Sequence, residues 1–273
     1  MTNNYQTWLQ EKNFSTGTIH LYQKLISYYG QQNLTTENIS QFLNQLTKRL
    51  APPTCQLYLA GLVSYAKFQQ IYKTIDWPKL QNLIPHQTQK FFTTINQQEL
   101  TRLKEVRFEQ QSQTYQRNNL ILDFLFYSGI RVSELTNLRH RDWENNSLKI
   151  HGKGNKIRQV FLPPFLARCF KLGAIGYLFT NQKGQKLTSA HIRHLIKKKV
   201  KLARINKWIS PHTFRRSFAT LLNNKGARLT TIQKLLGHSN LETTASYIHN
   251  SWEELYSDYS RLWRKPNKEI CHG

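Results

Sequence analysis

Residues 120–130 read LILDFLFYSGI, an almost wholly apolar run interrupted by Asp123. A surface helix carries one apolar stripe, whereas a helix apolar all round is buried, so this run predicts a central helix around which a sizeable domain packs. Gly129 supplies the residue that stops such a helix at its C′ position. The first charged side chain after that stop is Arg131, which is thereby anchored on a core.

Outward from this helix, Thr94 and Asn96 precede a helix through Leu100 and Leu103. Downstream, alternating Leu148 and Ile150, the turn Gly152-Lys153-Gly154-Asn155-Lys156, then Val160 and Leu162 read as a β-hairpin. The remainder is mainly helical, with a short strand expected at Tyr177-Leu178-Phe179. The expected fold is mainly α with a small β-hairpin or sheet in the larger domain.

Residues 1–73 predict four helices. Ile19, Tyr22, Ile26 and Tyr29 recur at three and four residues; Thr35 caps a stripe of Ile39, Phe42 and Leu46; Pro52-Pro53 opens a long helix through Leu57, Gly61, Phe68 and Tyr72. Residues 74–92, with Trp77-Pro78, Pro85 and several Gln, keep no period and read as an interdomain linker. The second domain then runs over 93–273. A chain of 273 residues suits two such domains.

Charge narrows the function. There are 39 Lys and Arg against 15 Asp and Glu, net +24, while 39% hydrophobic residues exclude a disordered basic tail. Between Glu144 and Glu242 no acid occurs in 97 residues that carry 20 Lys or Arg. A solvated face mixes both signs, so this field points to a polyanion, nucleic acid above all. Its densest part, Lys197, Lys198, Lys199, Lys201, Arg204 and Lys207, suits phosphate positioning more than base readout. So long an interval without carboxylates argues against a metal-dependent nuclease or polymerase. The three cysteines, far apart and without CxxC spacing, encode neither a disulfide framework nor a thiolate metal site. No membrane span or signal peptide is visible, and a cytoplasmic location is expected.

Four segments hold groups suited to phosphate chemistry. In GIRVSEL, Glu134 stands three residues after Arg131 and can orient its guanidinium. In HGKGNK, Lys153 sits in a Gly-flanked turn. In SPHTFRRSFATLL, Ser210 and Pro211 open a helix whose first turn places His212 and Arg215 on one face, where free N–H groups and the dipole attract an anion. In LLGHSNLETTASYIH, His238 follows a helix-ending Gly and Tyr247 comes nine residues later. Singly, each segment fits a plainer reading: a surface ion pair, a solvated loop, a structural histidine, a core tyrosine. Beside several cations on one phosphate, a phenol can be drawn toward phenolate and attack phosphorus without a metal.

Together and in this order, the four segments closely resemble the tyrosine recombinase (phage integrase) family, particularly its compact Xer-like members. The resemblance implies a helical, SAM-like core-binding domain at residues 1–73 and a catalytic domain from 93 onward. It implies that Arg131 and Arg215 bind the scissile phosphate, that Lys153 protonates the departing 5′-oxygen, and that His212 and His238 act as acid/base and hydrogen-bond donor. Tyr247 becomes the nucleophile of a 3′-phosphotyrosyl intermediate, and Glu134 an auxiliary support. No metal or nucleotide cofactor is implied. One departure is Arg216, where many relatives carry His, expected to alter packing or add a phosphate contact.

The aromatic stripe Trp252, Leu255, Tyr256, Tyr259 and Trp263 marks an exchange helix at about 251–264. The resemblance implies that it docks on a neighbouring protomer in a homo-tetramer, or a hetero-tetramer with a related recombinase, on paired DNA sites. Two other readings were weighed. A type IB topoisomerase is disfavoured by the helical N-terminal domain, and a non-catalytic DNA binder by the filled catalytic positions.

Overall fold

The computed structural model describes residues 2–30, 32–85, 92–144, 147–151, 157–170, 175–237 and 259–260. The chain divides into two units, Met1–Lys90 and Phe91–Gly273.

The first unit contains the four expected helices, α1 (Thr2–Glu11), α2 (Thr16–Tyr29), α3 (Thr36–Thr47) and α4 (Pro52–Phe68), and a fifth, α5 (Trp77–Asn82). Ser15 and Thr35 accept the Thr18 and Asn38 backbone N–H groups at 3.3 and 3.2 Å, capping α2 and α3, while Pro52 and Pro53 begin α4. The apolar stripes close on Ile39, Leu43, Leu46, Leu59 and Leu62. The linker expected at 74–92 is corrected at its start: Ile75, Leu80 and Ile84 belong to this same core. Asp76 caps α5 by accepting from Lys79 N at 3.0 Å, so Trp77-Pro78 opens a helix instead of breaking one.

The second unit runs α6 (Gln97–Glu105), α7 (Ser112–Ser128), α8 (Val132–Asn137), β1 (Trp143–Glu144), β2 (Ser147–His151), β3 (Ile157–Phe161), α9 (Pro164–Ala167), α10 (Ser189–Leu202), α11 (Pro211–Asn224) and α12 (Leu229–Leu236). The sheet is antiparallel in the order β1-β2-β3, with Leu148 opposite Val160 and Ile150 opposite Arg158. The hairpin is as expected, and β1 is an addition. Tyr177–Phe179 makes no named strand; Tyr177 only bridges to Arg139, and Leu178 N donates to Leu138 O at 2.8 Å. Residues Ile121, Leu122, Phe124 and Leu125 of α7 are wholly buried; α6 and α11 pack against α7, and α10 packs against α6 and α8. Asp123 is partnered by Lys104 at 2.7 Å. At the end of α7, Gly129 has φ +59°, and a Cβ there would lie 2.4 Å from Phe218.

One expectation fails in this unit. Lys199, read as a phosphate contact, is fully buried, donating to Val106 O at 2.8 Å and Asn119 Oδ1 at 2.9 Å with Glu109 at 3.8 Å. Its place in a lysine run hid the helical period, which turns it inward while Lys197 and Lys198 stay exposed. Tyr259, the one aromatic of the expected exchange-helix stripe among the described residues, is buried beside Phe161, Phe218 and Leu222 of its own chain. The other residues of 251–264, apart from Ser260, lie outside the described residues.

Gly129→Ala is expected to cost about 3 kcal/mol in urea unfolding, combining left-handed strain with overpacking. Lys199→Met is expected to cost about 3 kcal/mol by leaving Glu109 poorly compensated, against about 0.5 kcal/mol or less for Lys197→Met. Equal effects of the two lysine changes would contradict the burial of Lys199.

Candidate active site

The site begins where α7 stops. The Gly129 turn delivers Arg131 to the N-cap of α8, and Glu134 falls at the third helical position. Arg131 N donates to Glu134 Oε2 at 2.8 Å, and Arg131 Nη1 to Oε1 at 3.0 Å. From β3, Arg158 adds a bidentate pair, Nη1 to Oε1 at 2.6 Å and Nη2 to Oε2 at 2.7 Å. One carboxylate thus holds two guanidinium groups. Burial pushes the Glu134 carboxyl up, but the hydrogen bonds and charge of Arg158, followed by the bonds from Arg131, outweigh it and hold Glu134 below the usual carboxylate range.

The C-terminus of α12 closes the other side. Gly237 adopts φ +62°, and a Cβ on it would meet Arg158 Cδ at 2.6 Å, so only glycine admits the arginine there. Arg131 Nη2 donates to Gly237 O at 3.3 Å. Arg215, one turn into α11, is 8% exposed and pairs with no carboxylate among the described residues. Its Nη1 donates to Gly129 O at 2.6 Å and its Nη2 to Leu236 O. These carbonyls end α7 and α12, where unpaired oxygens and the negative ends of two helix dipoles favour a cation. Burial, then the charges of Arg131 and Arg158, lower Arg215 to about 10 against the opposing pull of Glu134, so it stays charged at neutral pH.

His212 lies on the exposed side of the same helical turn. Desolvation, then the charges of Arg216, Arg215, Arg131 and Arg193, hold its imidazole below the ordinary value of 6.5, which keeps it neutral at pH 7. Among the described residues, Arg131, Arg158 and Arg215 surround a single carboxylate, which leaves an excess of two positive charges there beside a neutral histidine. An anion with several oxygens, such as a phosphodiester, fits that imbalance.

The structure therefore brings Arg131, Glu134, His212 and Arg215 together. Lys153, His238 and Tyr247 lie outside the described residues, although His238 follows in the chain directly after Gly237. Arg158 escaped the sequence reading. A signal existed: strand alternation puts it on the same face as buried Val160, where a charge demands a partner.

Among the basic cluster, Lys197, Lys198, Lys201 and Arg204 are exposed, with Lys198 Nζ 4.0 Å from the Phe108 ring centroid. Lys207 is paired with Glu99 at 2.6 Å, which competes with its expected phosphate contact. Arg216 places its guanidinium 4.1 Å from the centroid of Phe92, a packing role.

Residues 93–254 match the model of the phage integrase family. Over 91% of its length the chain is 31% identical to tyrosine recombinase XerC of Bacillus licheniformis, again covering 91% of that protein, and XerC of Bacillus subtilis matches to the same extent. Among solved structures, the XerH site-specific recombinase bound to difH is 28% identical, with a TM-score of 0.57 over 85% of this chain and 72% of that one. The Tn1549 transposon integrase in complex with circular intermediate DNA shares the fold at a TM-score of 0.69 and 19% identity, covering 94% of this chain and 98% of that one. With a family match over residues 93–254 and relatives along nearly its whole length, the chain belongs to the phage integrase family of tyrosine recombinases.

Proposed function

We propose that the protein is a site-specific DNA recombinase that cuts and rejoins strands through a 3′-phosphotyrosyl intermediate, with Tyr247 as nucleophile. The observation that carries this reading is the convergence of Arg131 and Arg215 beside α11 with a surplus of positive charge that no carboxylate among the described residues offsets. Arg131 and Arg215 clamp the non-bridging oxygens of the scissile phosphate and stabilise the charge that builds in the transition state. The Tyr247 oxygen attacks phosphorus, its proton passing to neutral His212, and the phosphorus–O5′ bond breaks. Lys153 protonates the leaving 5′-oxygen, and His238 donates a hydrogen bond to the phosphate.

Religation reverses the sequence: a 5′-hydroxyl from a partner strand attacks, and tyrosine leaves. The phosphoester bond is exchanged at each step, so no external energy source is consumed. Strand exchange requires four active sites on two paired DNA sites, supplied by a homo-tetramer or by a hetero-tetramer with a related recombinase. Residues 1–73, with the short helix that extends them, serve as the core-binding domain, while exposed Lys197, Lys198, Lys201 and Arg204 position phosphates.

The test is to incubate wild-type protein with duplexes tiled from the flanks of its own gene and with a panel of difH-like sites, then separate under denaturing conditions. Wild type is expected to leave a covalent adduct and Tyr247→Phe none. Arg215→Lys, which retains charge but loses the two-carbonyl grip, is expected to bind the same duplex while forming adduct about 100-fold more slowly. An adduct that persists in Tyr247→Phe, or none from wild type on a duplex that it binds specifically, contradicts the proposal.

A further inference from the structure

Trp208 is the one tryptophan among the described residues left mostly in solvent, at 79% exposure. It stands in the segment 203–209 that joins α10 to α11, and looseness does not explain its position. Arg102 Nη2 holds Ala203 O at 2.8 Å, and Lys207 is tied to Glu99 at 2.6 Å. Ile205 N donates to Val200 O at 3.2 Å, and the flanking Ile205 and Ile209 are both buried. A segment pinned at four points thus presents its largest apolar side chain outward, where folding alone gives it no reward.

Its surroundings are cationic. On α10, Arg193, Lys197 and Lys201 are exposed and spaced four residues apart, forming one stripe along the helix. The stripe begins beside the site, since Arg193 is among the charges acting on His212, and it ends where the Trp208 segment starts. Trp208 precedes His212 by four residues, so their Cα atoms are at most about 14 Å apart. That span is about four base pairs of duplex, short enough for a DNA whose phosphate sits at Arg131 and Arg215 to reach the indole.

We infer that Trp208 is a DNA contact, its indole packing against the deoxyribose and base edges of the bound duplex within about four base pairs of the scissile phosphate. The inference rests on the recombinase reading above and adds an uncharged anchor to an otherwise electrostatic surface. A rigid aromatic plane gains affinity at little conformational cost, and that gain is insensitive to salt. The lysines beside it contribute through counterion release, which salt erodes.

These two contributions separate in a titration of the full-length protein with a labelled random-sequence duplex, followed by fluorescence anisotropy across a salt series. Trp208→Ala is expected to bind about tenfold more weakly at every salt concentration, with the salt slope unchanged. Trp208→Phe is expected to recover most of the loss. Lys201→Ala is expected to reduce the slope by about one. Thermal melting checks that the exposed substitutions leave the fold intact. Wild-type affinity in Trp208→Ala, or a loss that vanishes at high salt as for Lys201→Ala, overturns the inference while leaving the recombinase reading standing. Absence of salt-sensitive binding by wild type removes both.

Discussion

The carboxylate of Glu134, gripped by Arg131 on one side and Arg158 on the other, is the interaction on which the site depends. It joins the first turn of α8 to β3, two elements otherwise built from separate local patterns. Burying ions costs several kcal/mol each, and such a cluster persists only where geometry satisfies the oxygens. Here both oxygens accept guanidinium donors, and one also accepts the Arg131 backbone N–H. With Arg158 fixed, the glycine turn at the end of α12 can close over it, and the carbonyls of Leu236 and Gly237 come to face Arg215 and Arg131.

The surplus of positive charge follows from the same arrangement. Glu134 is shared and Arg215 is supported by helix ends, and among the described residues no second acid pairs with these arginines. Such a site is organised before any phosphate arrives. Donors already aimed at the reacting group need little reorganisation during reaction, which is where preorganised electrostatics accelerate chemistry. The lowered Arg215 and the neutral His212 are two consequences of crowding cations together. Specificity for a particular DNA sequence is a separate matter, decided by side chains that reach base edges.

Much of this was legible in the sequence. The all-round apolar run at 120–130 gave the central helix, Gly129 its left-handed stop, and Ser210-Pro211 the start of α11, because each rests on a strong local rule. Arg131, Glu134 and Arg215 were singled out by motifs whose joint order resembles a family, and the short Arg131–Glu134 spacing at the start of α8 is what lets the two side chains meet. The misses share one cause, since each depends on tertiary partners that local pattern does not name. Lys199 sits in a lysine run yet meets Glu109 and Asn119 in the core. Arg158 needed the distant Glu134 to make sense, and α5 needed the core that Leu80 and Ile84 complete.

The role of the Glu134 charge is tested most directly by melting wild type and Glu134→Gln side by side from pH 7 to pH 3. The folded carboxyl lies below the ordinary 4.5, so its ionised form contributes stability above that pH and loses it as pH falls through the folded value. The account predicts that Glu134→Gln is less stable by about 3 kcal/mol at pH 7 and that the gap narrows steadily below about pH 4.5. Equal stability at pH 7, or a gap that stays constant down to pH 3, would contradict the account.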